Sequence, residues 1–565
     1  MYKFFVVSLC FILISTHKTS AQKYTSPLDL NILLSGTFGE LRSNHFHAGI
    51  DIKTNGIQGH KIKSIYDGYV SRIKVSSWGY GKTIYINHPA TGHTSVYAHL
   101  QKFNNKIDSI VLNKHYQEEN FELDFSLNKN IIKIKKGEVI GYTGNSGSSA
   151  GPHLHFEIRE TKNQQPINPL QFGFNVKDDI PPKLMKLKIY AFDTTLINGY
   201  NSNKTYDLIK KEGKYYINEM PEISGPFAMG IYTYDQSNGS YNKNGVYNIK
   251  LFVDTIKYYE FKADKLNFNT TRYINAHIDY YEKKANKIKF HRCYKLKNND
   301  LKTYPSLINN GIVKLKNNLY SIKIEVKDIY DNTSYLMLKV KVNNKPLLNK
   351  CKNLVEENSV LFDIEKPNIF KSKDIELHMK SFSLYEDIYF KYKKSDSING
   401  TYGPIHKIHE STVPIHKKYI ISIKSKVPEH LRNKVFIASV NKKGDFNYLG
   451  GVWKNSFLRA KIREFGDFCI VADTINPYIK AINIFPGKEI KKQKTLEFTI
   501  KDDLSGIKKF RGEINGEWIL LDYDHKRNLL SYNLKNNIHK GKQTIKLDVY
   551  DKVNNIATYK TEIIF

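Results

Sequence analysis

Along most of this chain, apolar and polar residues alternate in short stretches separated by clusters of glycine, proline, asparagine and aspartate. A period of two predicts strands with one face against a core. Ile62, Ile65 and Val70 bracket a turn at Asp67-Gly68, and Ile73 and Val75 lead into a turn at Gly79-Tyr80-Gly81. Thr83-Ile84-Tyr85-Ile86 then runs to Pro89-Ala90-Thr91-Gly92, and Thr94 to Leu100 makes the next strand. No amphipathic helix of convincing length is predicted here, so the region reads as a compact all-β domain. The segment between Phe103 and Lys135 stands apart as an insert, 104–134, with Phe121, Leu123 and Phe125 alternating. It reads either as a wall or lid beside a cleft or as a spare hairpin packed on the sheet.

At 565 residues the chain exceeds one core, and roughly 100–200 residues per domain imply several. Asp178-Asp179-Ile180-Pro181-Pro182 forms a stiff junction, after which alternation such as Tyr247 to Val253 resumes. An internal repeat is visible: Ile322 to Asp328 with Asn332 aligns with Ile545 to Asp551 with Asn555. Each is a strand, a polar turn and a second strand near a domain end, as in immunoglobulin-like sandwiches. A second boundary lies at Asp473-Thr474-Ile475-Asn476-Pro477. The expected organisation is a β domain at 31–175, an immunoglobulin-like β-sandwich at 178–346, a β-rich segment of unassigned type at 347–474, and a second immunoglobulin-like sandwich at 475–565.

The start predicts export. Lys3 precedes an apolar run from Phe4 to Ile14, too short to span a bilayer, and Thr19-Ser20-Ala21 suits signal cleavage, so 1–21 is read as a signal peptide. Leu9 before Cys10 is too large for a lipidation signal, and no later segment is apolar enough to cross a membrane. Of the four cysteines, Cys293, Cys351 and Cys469 remain after cleavage, which excludes a disulfide scaffold and a cysteine zinc site; they are expected to be small buried residues. The net charge of +32 attracts polyanions, yet the basic residues are scattered and no nucleic-acid reader motif occurs, so nucleic acid is not an expected partner.

Candidate chemistry gathers in the first domain. In Gly151-Pro152-His153-Leu154-His155-Phe156-Glu157 the strand period puts His153 and His155 on one face, with Glu157 beside them. His47 and Asp51 likewise share a face, with Gly49 between them leaving room for a close approach to the backbone. His99 lies on the strand Thr94 to Leu100. Two imidazoles and a carboxylate suit a metal, and further imidazoles suit proton transfer. Glu157 reads equally as a hydrogen-bond partner of an imidazole or a plain surface ion pair, and Arg42 and Asn145 as cleft-lining residues. His45, His60, His88 and His93 are read as non-ligands.

His47-x-x-x-Asp51, Tyr97-Ala98-His99-Leu100, Gly141-Tyr142-Thr143-Gly144-Asn145-Ser146-Gly147 and His153-Leu154-His155-Phe156-Glu157 together resemble the lysostaphin-type zinc metalloendopeptidases of bacterial cell walls. The connecting Tyr66 to Val70 and Lys136 to Gly141 match as well, and the resemblance covers about Asn31 to Gly173. It implies His47, Asp51 and His155 as Zn2+ ligands, and His99 and His153 as the catalytic pair flanking a metal-activated water. The implied function is hydrolysis of peptide cross-links of peptidoglycan in the periplasm or cell envelope, with the later β modules expected to space, dock or localise the enzyme through envelope protein partners. The rival readings are a non-catalytic wall-binding or amidase-activating regulator and a surface interaction protein carried by the β modules. If the modules only localise the enzyme, hydrolysis is expected to survive deletion of 178–565.

Overall fold

The computed structural model describes residues 24–192, 194–344, 359–490, 493–534 and 540–565. The signal segment and Cys351 lie outside the described residues. The peptidase-like region is one antiparallel β assembly built from β1 (Leu34–Gly36), β2 (Ile50–Lys53), β3 (Lys61–Lys63), β4 (Gly68–Val75), β5 (Lys82–His88) and β6 (His93–Phe103). After a helix, α1 (Asn105–Glu118), come β7 (Leu123–Ser126), β8 (Lys133–Ile134), β9 (Val139–Thr143), β10 (His153–Glu160) and β11 (Pro166–Ile167). The main sheet runs β1-β2-β10-β6-β5-β4-β7, with β9 joining β6 to β3. β10 is therefore central, flanked by β2 and β6, and its residues Leu154, Phe156 and Ile158 alternate into a fully buried core.

The helix was not expected. Asn104 caps it by accepting the Ile107 N–H, and Ile107, Val111 and His115 are buried at four-residue spacing. Ile110 packs partly beside that stripe, but Leu112 and Tyr116 fall on other faces and blur the apolar period. Leu123–Ser126 pairs with β4, extending the sheet on its outer side. The insert is thus part of the outer sheet edge.

Residues 178–344 form two sheets around a common core, with Lys183–Ala191 and Phe227–Tyr234 in one and Asn248–Val253, Asn318–Lys327 and Thr333–Val342 in the other. That core also takes in Phe38, Leu41 and Phe46 from the loop between β1 and β2. Residues 359–473 make a further two-sheet body with its own core, and 478–565 another. The described chain is all-β apart from short helices. Cys293 and Cys469 are free and buried.

The last module lies against the peptidase-like region. Lys82 pairs with Asp522 at 2.6 Å, Arg511 with Glu119 at 2.6 Å, and Tyr116 meets Trp518 edge-on at 5.2 Å. Trp78 stacks on His525 at 3.6 Å, and Lys526 Nζ donates to the carbonyls of Asn145 and, at 3.1 Å, Ser149.

Several histidines are buried without charge. His88 sits between the Asp67 carbonyl (2.9 Å) and Ser95 Oγ (2.7 Å), and burial pushes it down to about 4. In the first sandwich His291 pairs with His277 at 2.8 Å, and burial pushes His291 down to about 3. An unfolded histidine titrates near 6.5, so between that value and the folded one the unfolded state binds more protons. The stability these groups contribute is complete above pH 6.5 and is lost as pH falls toward 4. The loss should reach about 1.4 kcal/mol per pH unit per histidine. Thermal melts from pH 7 to pH 4 should show the midpoint falling steeply across this range; a flat profile would contradict it.

Candidate metal centre and active site

Strand register brings the candidate residues together. His155 on β10 sits opposite Asp51 on β2 and opposite Ala98 on β6, next to His99. His47 arrives from the loop before β2. Asp51 Oδ1 lies 3.0 Å from His47 Nε2, 2.9 Å from His155 Nδ1 and 3.4 Å from His153 Nε2, and His47 Nε2 is 3.0 Å from His155 Nδ1. The ligand edge of a tetrahedral zinc with bonds of ~2.0–2.1 Å is roughly 3.3 Å, so this triangle is close to the right size.

Outer hydrogen bonds fix which nitrogen faces inward. His47 Nδ1 donates to the Thr37 carbonyl at 2.8 Å, leaving Nε2 as the lone-pair nitrogen. His155 Nε2 donates to Glu157 Oε1 at 2.9 Å, leaving Nδ1. Arg42 Nη2 donates to the other Asp51 oxygen at 2.9 Å and to Glu40 at 3.2 Å. Burial opposes ionisation of Asp51, but the imidazoles gathered around it, His47 first among them, hold it well below the usual carboxylate range. The two imidazoles and one carboxylate, each oriented from behind, fit a zinc ion.

Glu157 is the fully buried partner of His155, not a surface ion pair. It also accepts from Tyr80 Oη and from Arg159 Nε at 2.5 Å. Burial opposes its charge, yet Arg159 and His155 hold it down at about 2. The spacing on β10 hinted at this contact. Tyr80, whose ring lies 4.9 Å from that of His155, was legible only as part of a turn. Gly49 has a different use from the one expected: a Cβ there would sit 2.3 Å from the Phe156 carbonyl, so the space admits β10.

His99 occupies an unusual backbone position, left-handed with φ at 62°, where the pairing of β6 slips in register. Such a conformation costs roughly 1–2 kcal/mol in a residue with a Cβ. It is held by the His99 N–H bonding the Tyr80 carbonyl at 2.9 Å. His99 Nδ1 donates to the Ser146 carbonyl at 2.8 Å, and His153 Nδ1 faces the Gly151 carbonyl at 2.9 Å and Ser149 Oγ at 3.1 Å. The two rings are 4.8 Å apart. Burial, reinforced by His155 and His153, pushes His99 down to about 3, so it is neutral near pH 7.

These groups line an open cleft of about 950 Å³, shared with Arg42, His45, Tyr80, Ser149 and Asn242. Its lining includes no residue of 104–134 or 475–565, so among the described residues neither the insert nor the last module fills it. Asn145 does not line it; its carbonyl is held by Lys526.

The peptidase family M23 model matches residues 45–115 and 123–169. The chain carries an M23 peptidase domain. A Zu5-like domain model matches 359–473, giving a type to the segment that sequence periodicity left unassigned. The M23 domain is similar to the DD-carboxypeptidase/endopeptidase Mpg of Neisseria meningitidis, at 34% identity over 130 residues, covering 23% of each chain. It is also similar to the glycyl-glycine endopeptidase ALE-1 of Staphylococcus capitis, at 27% identity, covering 32% of this chain and 42% of that protein. Among solved structures, the catalytic domain of the M23 protein EnpA from Enterococcus faecalis is 27% identical, covering 25% of this chain and 92% of that one, with a TM-score of 0.19. The chain thus spans less than half the length of these curated relatives.

Proposed function

We propose that this chain is an exported zinc metalloendopeptidase that hydrolyses peptide cross-links of bacterial peptidoglycan. The observation that carries the reading is Asp51 Oδ1 set against His47 Nε2 and His155 Nδ1, inside an M23 domain. His47, Asp51 and His155 hold the metal; His99 and His153 stand beside it. A bound zinc supplies a Lewis acid for the scissile carbonyl and acidifies a water. With their Nδ1 atoms turned to backbone carbonyls, His99 and His153 each offer an unprotonated Nε2 for taking a proton and delivering it to the leaving amine. Once protonated, either imidazolium stabilises the developing oxyanion. The names of the relatives Mpg and ALE-1 support a wall-peptide substrate. Export rests on the signal-like segment 1–21.

The test is incubation of mature protein with purified sacculi, followed by mass spectrometry of what is released. New amino termini within the cross-links, absent after chelation, are expected. Binding to sacculi with no released peptide would sink the proposal in favour of a non-catalytic regulator.

Arg42 gives a subtler check. Arg42→Ala removes the hydrogen bond that orients Asp51, and zinc affinity should fall by about 10–100-fold. Chelator competition reads this directly; unchanged affinity would mean that Asp51 needs no such support.

A further inference from the structure

A second cluster of ligands lies in the first sandwich. Asp178, Asp235 and Asp328 each place a carboxylate oxygen within 4.8 Å of the others. Asp328 is fixed by the N–H groups of Tyr330 (2.8 Å) and Asn332 (2.9 Å) on one oxygen and by Asn332 Nδ2 (2.6 Å) on the other. Asp178 accepts the Ile180 N–H at 3.2 Å. Asp235 is only 4% exposed, yet its Oδ1 is buried with no hydrogen-bond partner. Ser237 Oγ, two residues on, and both side-chain polar atoms of Asn244, whose backbone bridges Asp235, are orphaned as well.

Among the described residues no lysine or arginine pairs with the three carboxylates, and Lys327, next to Asp328, turns instead to Asp331 at 3.5 Å. The charges felt by Asp235 are those of Asp178 and Asp328, which add to burial in pushing it up to about 8. In a chain of net charge +32, such a concentration of negative groups is out of keeping with its surroundings. A buried unpaired carboxylate is costly, and a cation removes the cost.

We propose that Asp178, Asp235 and Asp328 form a Ca2+ site. The donors are all oxygen, which selects a hard cation, and Ca2+ takes several carboxylate oxygens in flexible geometry. Mg2+ dehydrates reluctantly and is usually held by one or two carboxylates, so three match Ca2+ better.

The repeated module supplies a contrast. Asp473, Asp502 and Asp551 cluster in the same way, but backbone N–H groups close them: Ile475 and Ser505 on Asp473, Leu504 and Gly506 on Asp502, Val553 and Asn555 on Asp551. Among the described residues no buried oxygen of these three lacks a partner, and no ion is assigned to them.

The Ca2+ site has a structural consequence for the cleft. Asp235 and Asn244 exchange backbone hydrogen bonds at 3.0 and 2.8 Å, closing the base of a loop. Ser240 of that loop donates to the Leu34 carbonyl on β1 at 2.8 Å, and Asn242 lines the catalytic cleft. The cation braces the loop where the sandwich meets the peptidase domain.

Calorimetric titration of CaCl2 into the full mature chain, stripped of calcium, tests this. Wild type should bind Ca2+ and melt at a higher temperature with ~1 mM Ca2+ present. Asp235→Asn should lose one equivalent of Ca2+ and the thermal gain while still melting cooperatively. If that variant fails to fold, Asp178→Asn at the half-buried position is read for the same loss. Absence of binding by wild type, undiminished stoichiometry in the folded variant, or an equal thermal gain from Mg2+ would each overturn the assignment.

Discussion

Truncation after residue 177 is expected to abolish both hydrolysis and zinc retention, although it spares every candidate ligand and proton-transfer residue. The loop that carries His47 is anchored outside the peptidase domain. Phe38, Leu41 and Phe46 are 2%, 5% and 1% exposed because they belong to the core of the first sandwich. Burying each contributes about 1.5–3 kcal/mol. Polar contacts add to this: the Phe46 N–H bonds Thr271 Oγ1 at 2.9 Å, Thr37 Oγ1 and the Gly245 N–H meet at 3.0 Å, and Lys289 Nζ donates to the Leu41 carbonyl at 2.7 Å. Without 178–344, this loop loses its packing, and His47 loses the Thr37 carbonyl that orients it. A 22–177 fragment should therefore fail to hold zinc, whereas 22–346 should retain most activity. A fragment of 22–177 with full activity would show that the sandwich only spaces, docks or localises the enzyme, the reading that the sequence alone favoured.

His99→Ala and His153→Ala should each lower kcat by about 10²–10⁴-fold with zinc content nearly unchanged. Neither ring belongs to the His47, Asp51 and His155 group. Their Nδ1 atoms are held by the Ser146 and Gly151 carbonyls, and His153 Nε2 stands 3.4 Å from Asp51, farther than His47 or His155. Loss of metal in either variant, to the extent seen for His155→Ala, would place that histidine on the ion and undo the division of labour.

Much of this was legible in the sequence because strands expose chemistry at a period of two. His153 and His155 on one face, Leu154 and Phe156 on the other, follow from that rule, and Glu157 falls beside them. The site's supporting contacts were not legible, since they join distant segments. Arg42 reaches Asp51 across a loop, Tyr80 reaches Glu157 from a turn, and Phe46 inserts into a domain more than a hundred residues away. The helix Asn105–Glu118 escaped because Leu112 and Tyr116, off its buried face, blur its apolar period. The repeat ending in Asp328 and Asp551 was visible, but the orphaned Asp235 oxygen that separates the two modules depends on packing.

The central claim is that His47, Asp51 and His155 hold a catalytic zinc. Metal analysis of purified wild type and His155→Ala, run beside muropeptide release from sacculi by the same preparations, tests it most directly. The account predicts about one zinc per wild-type chain, and loss of both metal and release in the variant. Release that persists in His155→Ala and after chelation would contradict it.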